Sequence, residues 1–282
     1  MNFDQKKNNQ TDDLEKFDEE SGFKKNLHGW NLKLAGGIAI TWSLFQLWYA
    51  SPLPFILDFG KIIDVPARAI HLAFGLILCF LIYPGLKSKK KTKISLLDFF
   101  LVVLSLITTL YLFFDYEGLV YRQGILAKIH LGSFTIPYEI IIGVIGIILL
   151  LEATRRAIGI PLVVIAAIFL IFSIFGQSMP DLISHQGLSI KRLVGYHWFG
   201  GEAIFGIPIS VSVSFIFLFV LFGAILDAAG GGKYFLNLAF ALVGKMRGGP
   251  AKAAILASGL TGLISGSSVA NTVTTGTFTI PI

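Results

Sequence analysis

An all-α, polytopic integral membrane protein is the fold class this sequence predicts, and three observations predict it. Hydrophobic residues make up 54% of the 282 residues and charged residues only 14%, too little charge to cover the surface of a soluble domain of this length. Mean hydropathy is +0.75, and the apolar residues are gathered into runs near the length needed to cross about 30 Å of hydrocarbon. The runs are separated by short loops that hold the Lys and Arg residues. A net charge of +6 admits a nucleic-acid reading, but the Lys and Arg residues sit between apolar runs, not on one face, which excludes it. Cys79 is the only cysteine, so an intrachain disulfide is excluded too.

Taken in order, residues 1–29 begin with a polar, charged stretch without the apolar core or small-residue cleavage site of a secretory signal. They read as a disordered cytoplasmic tail. Six spans follow, approximately Leu32–Tyr49, Ala67–Tyr83, Leu96–Phe114, Ile136–Leu151, Ile160–Phe175 and Ile207–Ala228. "EATRRAIGIP" joins the fourth to the fifth as a tight turn, with Pro161 placed to open the fifth helix. The lysine-rich "GLKSKKKTK" between the second and third spans belongs in the cytoplasm by the positive-inside rule. Counting from it, Lys24, Lys25, Lys33, Arg155, Arg156, Lys233, Lys245, Arg247 and Lys252 fall inside, and the amino terminus is cytoplasmic. In the long outer connection after the fifth span, Tyr196, His197, Trp198 and Phe199 suit an interfacial helix, a docking surface or, most simply, a membrane-belt anchor.

After the sixth span, "YFLNLAFALVG" is too short to cross the bilayer and is expected to lie near the cytoplasmic face. "RGGP" turns the chain, and a helix begins near Ala251. On it Ala254, Ser258, Gly262, Gly266 and Ala270 form a stripe of small residues, which close helix packing alone explains. Packing does not explain "SGSSVANTVTTG", where Ser265, Ser267, Ser268, Asn271, Thr272, Thr274 and Thr275 crowd together between Gly266 and Gly276. Irregular backbone at membrane depth is tolerated only under protein cover or along a polar cavity. Interrupted segments of this kind bind substrate anions at helix amino ends and Na⁺ at freed oxygens. The segment offers oxygen ligands without Asp, Glu, His or Cys, which favours Na⁺ over a transition metal. The reading is a re-entrant helical hairpin.

Here the residues resemble a known family. "GGPAKAAILASGLTGLISGSSVANTVTTGTFTIP" is similar to the signature of the large membrane subunit of TRAP transporters, the tripartite ATP-independent periplasmic transporters. "ARAIHLAFGLILCFLIYP" and "LEATRRAIGIPLVVIAAIFLIF" further resemble the fused permeases, in which a four-helix small subunit precedes a twelve-helix large one. The resemblance implies a four-helix small-subunit-like domain at 30–157 and the start of the large transport subunit at 158–282. It implies an inner (cell) membrane permease driven by a Na⁺ gradient, taking up organic anions such as carboxylates from an extracytoplasmic solute-binding protein. The family's sodium- and substrate-holding hairpin matches Ser265, Gly266, Ser267, Ser268, Asn271, Thr274, Thr275 and Gly276, with Ser267 and Asn271 as the candidate Na⁺ ligands. Such fusions contain a second, inverted half, so the chain is expected to be truncated and to need a missing carboxy-terminal half as partner. The expected surroundings are the lipid bilayer and no nucleic acid.

Other residues carry weaker signals. Asp227 at the end of the sixth span is either a relay group or, more simply, a solvated helix-end acid. His71 reads as interfacial, His130, His185 and His197 are too scattered for a metal site, and Glu152 with Arg155 and Arg156 reads as a helix-end ion pair. No phosphate loop is present, "GGGKYF" lacking the spacing, and neither an enzyme activity nor a cofactor other than the coupling ion is expected. A non-transporting membrane scaffold or complex anchor, with the Gly/Ser/Thr segment as packing glue, is the alternative function.

Overall fold

The computed structural model describes residues 27, 29–85, 95–131 and 134–263. Two compact units divide at Ser210 and Val211.

The first unit is built on four long helices. α1 (Trp30–Ala50) packs on α3 (Asp64–Ile82), with the short α2 (Leu53–Ile56) in the connection between them. α3 lies against α4 (Leu96–Tyr121), and α5 (Tyr138–Ala157) packs on both. α4 starts at a capping box: Ser95 accepts from the N3 backbone and Asp98 reaches back to the Ser95 N–H at 3.1 Å. Its 26 residues rise about 39 Å, more than a hydrocarbon core needs. Inside it, the buried Ser105, Thr108 and Thr109 donate their hydroxyls to carbonyls three or four residues back. Polar side chains are thereby satisfied within an apolar bundle.

Small residues let α3 approach its neighbours, with Ala67, Ala69 and Ala73 all buried. Leu76, Ile77, Phe80, Leu81, Val102, Leu149 and Ala153 form one core layer of α3, α4 and α5. His71, expected at the interface, is buried on α3 and accepts from the Trp42 indole N–H at 3.2 Å.

Between α4 and α5 the structure differs from the sequence reading. Ile136, expected to open the fourth span, instead closes a two-stranded antiparallel hairpin, β1 (Ile129–Leu131) and β2 (Phe134–Ile136), with Ile129 opposite Ile136. The reason is local: Pro137 disfavours helix in the residue before it and stands as the helix N-cap. The helix then runs on through Glu152 to Ala157, because Arg155 and Arg156 suit its carboxyl end.

The turn to α6 (Ile160–Ile174) uses Gly159 at φ 118°, a conformation closed to residues with a side chain, and Pro161 stands in the first turn of α6 as expected. No residue of α6 is buried, and Ile165, Ile168 and Phe169 are all exposed. α7 (Ile190–Val194) continues as a π-helical turn, Gly195–Phe199.

The second unit follows α8 (Ile207–Val211), which ends at the boundary and continues through a π turn, Ser212–Ile216, into α9 (Phe217–Ala228). Then α10 (Gly231–Val243) packs on α11 (Gly249–Gly262). The 13 residues of α10 rise about 20 Å, short of a span, as the sequence reading expects. On α11 the packed stripe is Ala253, Ala257 and Thr261 with Ala254, closing on Ala239 of α10. The expected stripe began at Ala254 and ran through Ser258 and Gly262. The buried one lies a residue earlier, and Gly262 is exposed. The small-residue spacing holds, Ala254 is common to both stripes, and the buried face is shifted toward Ala253, Ala257 and Thr261, where α10 packs.

Three helical runs among the described residues are long and apolar enough to cross a membrane by length and composition: Asp64–Ile82, Leu96–Tyr121 and Ile207–Leu226. Of the other expected spans, α1 and α5 are long enough, at 21 and 20 residues, but more polar, and α6 is apolar but has 15 residues. The fold is an all-α membrane protein, with one small hairpin as its departure.

Candidate functional site

The oxygen-rich segment lies outside the described residues, and with it Ser265, Gly266, Ser267, Ser268, Asn271, Thr274, Thr275 and Gly276. Described is the helix that leads to it, α11, whose last buried residue, Thr261, donates its hydroxyl to the Ala257 carbonyl at 2.8 Å. Asp227 falls in the last turn of α9.

Within the first unit, charge is concentrated in two clusters at opposite ends of the α3–α4–α5 bundle. At the end where α4 finishes and α5 begins, Glu139 has no exposed surface. Its Oε1 accepts from the Tyr111 hydroxyl and from Arg122 Nη2, each at 2.6 Å, and its Oε2 accepts from the Ala127 backbone N–H. Asp115 shares both donors, Tyr111 at 2.9 Å and Arg122 at 2.7 Å. Tyr111 and Asp115 stand one turn apart on α4 and face the first turn of α5. The cluster thus fastens the chain between the helices to both of them.

At the other end, Arg156 is buried, and Nη1 donates to Asp98 Oδ1 at 2.7 Å while Nε donates to Glu152 Oε1 at 2.7 Å. Its guanidinium lies 5.0 Å from the Phe80 ring centroid. Arg155 donates to both Glu152 oxygens and, at 2.7 Å, to the Gly85 carbonyl. Hydrogen bonding from Arg155, then from Arg156, holds the Glu152 carboxyl, just past the apolar run that ends at Leu151, below its usual range. The expected Glu152–arginine pair is there, enlarged by Asp98.

The aromatic cluster of the long connection divides. Trp198 and Phe199 are buried, so Trp198 is not a belt anchor. Its ring lies across α5 where Gly146 leaves space: a Cβ there would stand 2.3 Å from the ring, while Gly143 makes room for Val194. The indole N–H donates to the Thr108 carbonyl at 3.4 Å. Tyr196 alone of the aromatics is exposed, and His197 Nδ1 lies 3.0 Å from the Leu193 carbonyl. Among the described residues no group of three or more His, Cys, Asp or Glu is arranged to hold a metal.

Sequence reasoning missed the Tyr111–Asp115–Arg122–Glu139 cluster. The signal was available: Glu139 opens an apolar run, where an acid is costly unless paired, and Tyr111 and Asp115 have i, i+4 spacing.

Long apolar helices tied by paired charges, with an outward surface of bare isoleucine and phenylalanine, define a multi-pass membrane protein. Residues 145–282 match the family model described as "Tripartite ATP-independent periplasmic transporter, DctM component". It is also 32% identical over 150 residues to a Salmonella typhimurium (strain LT2) protein called "Uncharacterized protein YgiK"; the match covers 53% of this chain and 30% of that protein's length. No solved structure matches. The family is one of transporters, which points away from an enzyme.

Proposed function

We infer that the chain is part of the permease of a sodium-driven secondary transporter, one that takes up organic carboxylates handed over by an extracytoplasmic solute-binding protein. The observation that carries this reading is the family match over 145–282, a stretch that includes "SGSSVANTVTTG". Ser267 and Asn271 provide side-chain oxygens for Na⁺, and the neighbouring Ser265, Gly266, Ser268, Thr274, Thr275 and Gly276 complete the hairpin that holds ion and substrate. Neutral oxygens suit a hard monovalent cation, and helix amino ends suit the carboxylate. The membrane is the bacterial inner membrane, with the amino terminus in the cytoplasm as the lysine-rich connection directs.

The test is uptake into proteoliposomes by the complete transporter with its binding protein, at varied Na⁺. Ser267→Ala and Asn271→Ala are each expected to raise the sodium concentration for half-maximal uptake several-fold or to abolish uptake. An unchanged sodium dependence in both removes them from the site.

A further inference from the structure

At the α4-end of the bundle the first unit carries a half-open groove of about 680 Å³, within the usual size of small-molecule sites. Leu126 forms one wall, and Leu188, Ser189, Lys191, Arg192 and Tyr196 form the other. Both walls are fixed to α5. The Ala127 N–H bond to Glu139 holds the first, and Val194 over Gly143 with Trp198 over Gly146 holds the second. The shape therefore stands before any ligand arrives.

The lining is amphipathic. Lys191 and Arg192 are both exposed, and among the described residues neither side chain has an ion-pair partner. The Leu188 N–H donates to the Ser173 carbonyl at 2.7 Å. That bond joins the groove floor to the last turn of α6, the apolar helix with no buried residue. Cations in a groove that is joined through Leu188 to a bare apolar helix match an anionic head on a hydrocarbon tail. These two cations also lie at the end of the bundle opposite the lysine-rich connection, where orientation bias works against them. An acidic protein surface would meet the cations but would leave the α6 face uncovered.

We propose that this groove binds one anionic phospholipid. Its phosphate lies on Lys191 and Arg192, the Ser189 and Tyr196 hydroxyls meet its glycerol region, and an acyl chain follows Leu188 onto α6.

The experiment is native mass spectrometry of the full chain, purified in detergent and offered phosphatidylglycerol or phosphatidylcholine with the same acyl chains. Phosphatidylglycerol should be retained roughly tenfold better, the size of effect expected of two cations near a headgroup. Lys191→Gln with Arg192→Gln should bring it down to the phosphatidylcholine level, and Lys191→Arg with Arg192→Lys should keep it high. The charge-preserving pair separates loss of the site from loss of the fold. Equal retention of the two lipids, or preference that survives the glutamine pair, overturns the proposal. Free glycerol 3-phosphate should not displace the lipid; displacement at equal concentration would make the ligand a soluble organophosphate and overturn it. So would binding of a solute-binding protein that is lost in the glutamine pair while lipid retention is unchanged.

Discussion

Glu139 brings a carboxylate to a place with no exposed surface and surrounds it with three donors, from Tyr111, Arg122 and Ala127. Removing one partner of such a set is costly, because the groups left behind remain buried and unmatched. Glu139→Gln places an amide N–H₂ among donors and leaves Asp115 as the one carboxylate facing Arg122 among the described residues. The expected loss is about 3 kcal/mol, the low end for a broken buried pair since Arg122 is partly exposed. It should appear as a lower Tm of the detergent-solubilised protein. A variant that melts with the parent would show that the cluster holds nothing together. Residues of this kind were half legible. Glu152, Arg155 and Arg156 lie within five positions, so their pairing follows from helical spacing. Glu139 and Arg122 are seventeen apart in sequence, and Asp98 and Arg156 fifty-eight. Only the packing of α4 on α5 brings them together, and spacing along one helix carries no information about that.

At the scale of elements, the apolar runs located the start of every long helix to within three residues, but α4 runs seven residues past the expected Phe114 and α5 six past Leu151, because both helices continue into polar turns beyond their apolar stretch. What escaped was the hairpin of Ile129–Leu131 and Phe134–Ile136, too short for a period to show. The seat of Trp198 escaped as well. A tryptophan near a membrane boundary reads as an anchor from sequence; only the notch at Gly146 reveals it as a core residue. Filling that notch tests the attachment of α7 to α5. Gly146→Ala puts a methyl group where the indole ring lies and should cost about 1–3 kcal/mol through overpacking. Trypsin should then cut faster after Lys191 and Arg192 than in the parent. An unaltered cleavage rate there would mean that α7 is held by something other than the tryptophan.

For the molecule as a whole, the fold class was legible because composition alone separates a lipid-facing surface from a water-facing one. The candidate ion site is a matter of sequence throughout, since Ser265–Gly276 lie beyond the described residues. Orientation rests on the lysine-rich connection, and it can be checked in a Cys79→Ala background. A cysteine at Ser184, exposed in the connection after α6, should react with an impermeant thiol reagent in intact cells. One at Ser88, among the lysines, should react only after the membrane is opened. The reverse pattern would invert the topology. Gly187 is unsuited to this purpose: its φ of 69° and the Ile174 carbonyl, 2.7 Å from a Cβ there, leave no room for a side chain.

α5 is fastened along its whole length. Glu139 ties its first turn to α4, Gly143 and Gly146 receive Val194 and Trp198, and Arg156 ties its last turn to Asp98 at the start of α4. A rod bolted at both ends to the same beam does not slide along it. A slip of one helical turn, about 5.4 Å, would separate both sets of charges at once. Shear between α4 and α5 is therefore closed, and whatever displacement these two helices undergo in the membrane, they undergo together.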